Sequence, residues 1–409
     1  MEQLKRLALL ATCVWGGALM LSCTSEVAEG DAGELASECV HVSLHSDYVS
    51  TSVSLLRPDG TLCKEGLIDS GSAPLDVVAA LSGDVSLPSG IDPKGRVVLI
   101  DRYPHAVISF VTPGAELEVA QIAVGTGFAA NPHDMIFLDE RRAYVTRFGS
   151  NGGAESADAM DAGGDVLIID HEEMEIRGRI PLSAQEGFDP MPSQMAQVDG
   201  HVWVALSHLS RDFQAAGEGR VAGIDPESDS VVSMHSFEGL SNCGAVKADR
   251  GGTSLWVGCS GLFAVGEEMQ RRSSALVYLR AESGVLTESW RIAADESIGS
   301  PVASSIASVA PGRALFKAFG SLQDDTPDRL LWADASTSTS RETGIEGSAY
   351  ELGSLLYVAD LGMLLMADAD PTAPLVRRFE LSADALMELP STDASPSTGL
   401  APRGLSRYR

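Results

Sequence analysis

Short apolar runs alternate with tight polar turns along most of the chain. The clearest case is residues 131–170. Pro132-His133-Asp134-Met135-Ile136-Phe137-Leu138 leads through Asp139-Glu140-Arg141-Arg142 into Ala143-Tyr144-Val145-Thr146-Arg147-Phe148-Gly149, and Asp165-Val166-Leu167-Ile168-Ile169-Asp170 follows a glycine-rich loop. The apolar period is about two residues rather than about 3.6, which predicts strand, turn, strand, loop, strand. The same order of signals recurs. Apolar strands at 97–101, 144–147, 202–205, 255–258, 315–318 and 356–359 begin roughly 40 to 60 residues apart, the spacing of four-stranded propeller blades with variable loops. Turns such as Pro93-Lys94-Gly95, Asp199-Gly200 and Pro311-Gly312-Arg313 precede them and supply hairpin dihedrals. Alternating strands at 175–182, 230–237, 285–292, 341–345 and 375–381 close the units.

Six units are counted this way. The strands within 41–56 and 62–70 lack an inner partner, and the C-terminal segment 396–404 lacks an outer one. Joining them completes a seventh blade, and ring closure removes exposed sheet edges. The expected fold is all-β, a seven-bladed propeller over residues 39–409 closed by the C-terminal strand. Six or eight blades, or packed β-sandwiches, are the alternatives. Trp203, Trp256, Trp290 and Trp332 fall within strand patterns and are expected in the packing between blades.

The N-terminus changes the compartment. Lys5 and Arg6 precede an apolar run at 7–21 that is short for a membrane span, and it ends Met20-Leu21-Ser22-Cys23. This resembles a bacterial lipoprotein signal, although Met20 stands where family members usually carry Leu. The resemblance implies a signal peptide over 1–22, lipidation of Cys23, a flexible tether over 23–38 and a membrane held through the lipid. Thr24 rather than Asp after the cysteine favours the outer membrane at the cell envelope. In an oxidising compartment Cys39, Cys63, Cys243 and Cys259 are expected in two disulfides. Three connectivities are open, and the local pairing Cys39–Cys63 with Cys243–Cys259 is the easiest geometrically. The formal charge of −28 excludes nucleic acid as a natural partner. The chain is expected to be monomeric.

Tyr144-Val145-Thr146, Leu356-Tyr357-Val358-Ala359 and the lead-in Pro132-His133-Asp134 resemble the YVTN-type β-propellers of bacterial envelope proteins. Arg147 and Asp360 stand where that motif carries Asn. The resemblance implies a fold and says almost nothing of function.

A propeller places the starts of its inner strands and the loops after its second strands on one face of the channel. The starts read as Ser89-Gly90, His133-Asp134, Ser193-Gln194, Asn242-Cys243, Ser304-Ser305 and Gly347-Ser348. Long loops at 149–164, 207–219, 260–274 and 319–328 share that face, the usual way such a fold builds a binding surface. A funnel of Arg102, Tyr103, His133, Asp134, Arg147 and His208 is expected to take a small or anionic ligand. The competing view is that polar strand starts fill a narrow wet channel and that the arginines pair with acids. His133 and Asp134 are adjacent in a strand and point to opposite faces, which argues against their working as a catalytic pair. No Gly-x-Ser-x-Gly, His-Glu-x-x-His or Walker loop is present. The acidic loop with Glu155, Asp158, Asp161 and Asp165 offers Asp158, Asp161 and Asp165 as weak Ca²⁺ ligands; otherwise no cofactor is expected. The functional expectation is a binding or scaffold module. Two alternatives stand beside it: a lactonase- or lyase-like enzyme with a channel site, and a polysaccharide- or surface-binding protein using Tyr103, Phe148, Phe213, Phe263 and Phe319.

Overall fold

The computed structural model describes residues 38–72, 77–114, 116–151 and 159–409. The signal segment, Cys23, the tether up to residue 37, and Asp158 lie outside the described residues. Among the described residues the strands form seven four-stranded antiparallel sheets. Their innermost strands, in ring order from blade two, are Asp84–Ser86, Pro132–Phe137, Pro192–Val198, Ala245–Ala248, Val302–Ala310 and Leu352–Val358. Pro402–Arg407 is the innermost strand of blade one, followed outward by His41–Ser46, Thr51–Leu56 and Leu62–Asp69. His41 lies opposite Arg407, and Leu44 opposite Gly404. The expected seven-bladed propeller, closed by its C-terminal strand, is the architecture found.

The sequence pattern follows from where each strand sits. Second strands are covered on both faces by neighbouring blades, so Ser254–Ser260 is buried along nearly its full length. Outermost strands meet solvent on one face, and Ser230–Ser236 alternates between exposed and half-buried. Each interface between adjacent blades holds its own apolar cluster. Trp203 packs with Val257 and Leu279 between blades four and five, and Trp256 with Phe316 between blades five and six. Leu56, Leu365 and Leu405 join blades seven and one, so closure is a packed interface as well as a strand pairing. Both local disulfides form: Cys39–Cys63 in the closing blade and Cys243–Cys259 at the mouth of blade five.

Two expectations are corrected. In blade two the innermost strand is Asp84–Ser86, so Ser89-Gly90 lies beyond its end. In blade seven the motif Leu356-Tyr357-Val358 belongs to the innermost strand, Leu352–Val358, and not to the second. Ala385–Thr392 supplies the unrecognised outermost strand. Only Leu386 and Leu389 pack inward, three positions apart, while Ala385 and Met387 are exposed, so it does not show the period-two alternation of an amphipathic strand. Gly347 therefore ends the outer strand of blade six, and Asp360-Leu361 falls at the opposite end of the ring from the loop-rich face.

Candidate functional site

The lumen is lined by the innermost strands, and each presents an edge with no further strand to pair with. Unpaired N–H groups on such an edge need acceptors. Polar side chains of neighbouring blades provide them. Asp134 Oδ1 accepts from Ser89 N at 2.7 Å and Met135 N at 2.8 Å, and Oδ2 from Met195 N at 2.7 Å. Gln194 Oε1 accepts from Val246 N at 3.3 Å, Ser305 Oγ from Leu355 N at 2.8 Å, and Ser354 Oγ from Leu405 N at 2.6 Å. These polar positions stitch blade to blade. Asp134 is thus a structural clamp across blades two, three and four, and no oxygen of it is offered to a ligand. Burial pushes its carboxyl up to about 6, against the three N–H bonds that favour the ion. Lys247, on the inner strand of blade five, feels the Asp134 charge, while enclosure lowers its ammonium pKa. Its side chain touches water yet is walled by protein, as a lumen residue must be.

The remaining funnel candidates divide. Arg147 is fully buried. Its Nε and Nη2 bind Asp165 at 2.7 Å each, Nη1 donates to Thr126 Oγ1 at 2.7 Å and Val124 O at 3.3 Å, and Nη2 donates to Met160 O at 2.7 Å. Asp165 also pairs with Arg179 at 2.9 Å. Arg147 therefore binds no ligand, and Asp165, buried between two guanidiniums, is committed away from Ca²⁺. Asp161 is described, and no group of three or more metal-ligating side chains occurs among the described residues. His208 is also buried, with Nε2 3.1 Å from Ser183 O, and burial lowers its pKa. It too leaves the funnel.

Arg102, Tyr103 and His133 are brought to one side of the face. Arg102 pairs with Asp84, and Tyr103 is exposed at the rim. His133 stacks on Phe148 with ring centroids 4.1 Å apart, and Phe148 stacks on Phe213 at 6.4 Å. Burial, with the Arg102 charge, holds His133 down to about 3. So weak a base cannot take a proton from water efficiently at neutral pH.

The opposite side of the same face, over blades five to seven, is hollow. A cleft of about 420 Å³ opens between the helix Glu267–Arg272, the loop after Arg313–Ala318, and Tyr350. A second hollow of about 490 Å³ adjoins it, sharing Ser321, Thr326, Pro327 and Glu346. One buried carboxylate organises the cleft. Asp328 accepts from Gly320 N at 2.7 Å, Tyr350 N at 2.9 Å and Leu352 N at 3.1 Å, with Lys317 Nζ at 3.8 Å. It ties the loop bearing Phe319 to the turn bearing Tyr350, whose backbone has φ +65°. Phe319 and Tyr350 pack at 5.2 Å between centroids, and Phe263 meets Phe319 edge-on at 5.6 Å. The Ser321 hydroxyl donates to Glu267 Oε1 and orients that carboxylate. Burial, with the negative charges of Glu267 and Asp328, raises the Tyr350 phenol above its ordinary pKa and keeps it a hydrogen-bond donor. Among the described residues the Arg271 side chain makes only a long ion pair, to Asp295 at 3.7 Å.

Sequence reasoning found the two long loops and named Phe263 and Phe319, but not Glu267, Arg271 or Tyr350. Tyr350 was hidden by the one-strand misreading of blade seven. Glu267 and Arg271 sit on a helix of one and a half turns that a strand-based reading passes over.

No protein-family model matches the chain, and no curated protein matches it. Solved structures do. A periplasmic gluconolactonase from Pseudomonas aeruginosa shares 12% identity at a TM-score of 0.59, covering 90% of this chain and 98% of its own. A Bacteroides fragilis protein assigned as a 6-phosphogluconolactonase shares 11% at 0.55, covering 91% and 98%. Hydrazine synthase from Kuenenia stuttgartiensis shares 12% at 0.54, covering 88% and 99%. At such identities the likeness carries the fold. All three neighbours bear the names of enzymes, two of them lactonases. These names run against the expectation of a binding or scaffold module, which is corrected on that finding.

Proposed function

We propose that this chain is a lactonase-like hydrolase, opening the cyclic ester of a sugar acid in the cleft over blades five to seven. The observation that carries the reading is the oriented Glu267 carboxylate set beside a protonated Tyr350 phenol and the sparsely paired Arg271. The names of the propeller neighbours support it. In this mechanism Glu267 takes a proton from water as its oxygen attacks the ester carbonyl. The negative charge gathering on the carbonyl oxygen receives hydrogen bonds from Tyr350 and Arg271. The carbonyl carbon–ring oxygen bond then breaks, and Glu267 returns its proton to the ring oxygen, leaving an open hydroxy acid. Asp328 acts as a positioning residue for Tyr350. His133 and Asp134 take no part.

The same proposal places the enzyme at the cell envelope on a lipidated Cys23. A Cys23→Ser variant should leave the membrane fraction, and unchanged membrane association would end that part. For the chemistry, proton release from glucono-delta-lactone is followed against the buffer rate. The wild type should exceed the buffer rate, and Glu267→Gln should lose activity by at least about a hundredfold with unaltered melting. A wild-type rate equal to buffer across a panel of five- and six-membered aldonolactones refutes the reading.

A further inference from the structure

We infer that this cleft selects an uncharged polyhydroxylated ring over its phosphate monoester; the inference rests on the assignment of the active site made above. The first argument is charge. Glu267, Asp324 and Glu346 line the cleft against Arg271 and Arg329. Arg329 is already spent on Glu342, on Ile298 O at 2.7 Å and on Ser300 Oγ at 2.9 Å. The adjoining hollow adds Asp325 and Glu351 and no lysine or arginine. Phosphate recognition wants converging guanidiniums or a free helix N-terminus. The short helix Glu267–Arg272 opens with Glu267 and Glu268 in its first turn, and the helical turn Ala294–Ile298, whose Ile298 lines the cleft, opens with Asp295 and Glu296, so both ends carry the wrong sign for a dianion.

The second argument is the shape of the apolar part. Phe319 and Tyr350 give two ring faces at 32° to each other, braced by Phe263 and by Lys317 Nζ 5.1 Å from the Phe319 centroid. Ring faces of this kind cover the C–H face of a sugar ring, while the Tyr350 hydroxyl and the Glu267 and Asp324 carboxylates can hydrogen-bond its hydroxyls. A volume of about 420 Å³ lies in the range of small-molecule sites.

The test uses ligands that are not turned over: an aldonolactam, with N–H in place of the ring oxygen, and its phosphate monoester. Each is titrated calorimetrically into the intact protein at low salt. The lactam should bind at least about tenfold tighter than the phosphate ester. Glu267→Gln with Asp324→Asn should narrow that gap, and Phe319→Ala should weaken both ligands about tenfold while the melting temperature holds. Equal or tighter binding of the phosphate ester, binding of neither ligand, or indifference to Phe319→Ala overturns the inference. Because the readout is binding, selectivity can hold where lactone hydrolysis fails. Lactone turnover without selectivity would remove this inference and leave the hydrolase standing.

Discussion

Asp134 offers a sharp test of what decides the ionisation of a clamp buried in the lumen wall. Three backbone N–H groups point at its carboxylate, and on that ground its pKa should fall. Its side chain is almost wholly buried, and desolvation prevails, raising the carboxyl from 3.8 to about 6. The sign follows from linkage. Between those two values the folded protein holds a proton that the unfolded chain has lost, so stability falls as pH rises through the window. A shift of this size corresponds to about 3 kcal/mol when fully developed. Asp134→Asn removes the titration and keeps one acceptor oxygen. The variant should be clearly destabilised near about pH 4.5 and should recover relative to wild type by about 2 kcal/mol on going to about pH 7, since about 1 kcal/mol of the effect is already spent at the lower pH. Urea unfolding followed by the fluorescence of the buried Trp203 and Trp256 reads the difference, and the other ionisable groups cancel between the two proteins. A penalty that grows with pH would mean that the N–H donors outweigh burial, and the account given of the lumen would be wrong.

Arg147→Met leaves buried Asp165 with Arg179 as its remaining guanidinium and should cost about 3–5 kcal/mol in urea unfolding while the cleft still binds its ligand; unchanged stability would return Arg147 to the list of functional residues. Truncation before Pro402 removes the innermost strand of blade one and uncovers the edge of His41–Ser46. Size exclusion should then show aggregates, and a cooperative melt of a monomer would refute closure by this strand. Cys243→Ser with Cys259→Ser opens a link across a sequence separation of 16 and should lower stability by about 3 kcal/mol, matched by reducing agent acting on the wild type. Asp328→Asn loosens the anchoring of Gly320, Tyr350 and Leu352. It should raise KM and lower kcat together, about tenfold or more in their ratio, whereas unaltered kinetics would strip Asp328 of its positioning role.

Much of this protein can be read along the chain because its packing is local and repeated. Tyr144, Trp203 and Trp256 sit at matching places in second strands, each squeezed between two blades, so burial on both faces writes a near-continuous apolar run into every unit. The same logic reaches the termini. Strands at both ends without partners require one shared blade, and both disulfides join cysteines close in sequence.

The site is a different matter, because charge and aromaticity look alike on paper whether they serve the fold or a ligand. Arg147 is the most functional-looking residue of its repeat, yet Asp165, eighteen positions on, takes it into the core. Asp134 looks like half of a catalytic pair and turns out to saturate the backbone of neighbouring blades. Glu267 and Tyr350, separated along the chain by most of two blades, become neighbours only because successive blades stand side by side around the axis. Strand periodicity and turn chemistry are properties of near neighbours in sequence, and closure, although it pairs the two ends of the chain, follows from counting strands without partners; the sequence alone determined them. Which polar groups are used up inside the ring and which are left free at a cleft depends on burial and on contacts between blades, and only the tertiary structure decided that.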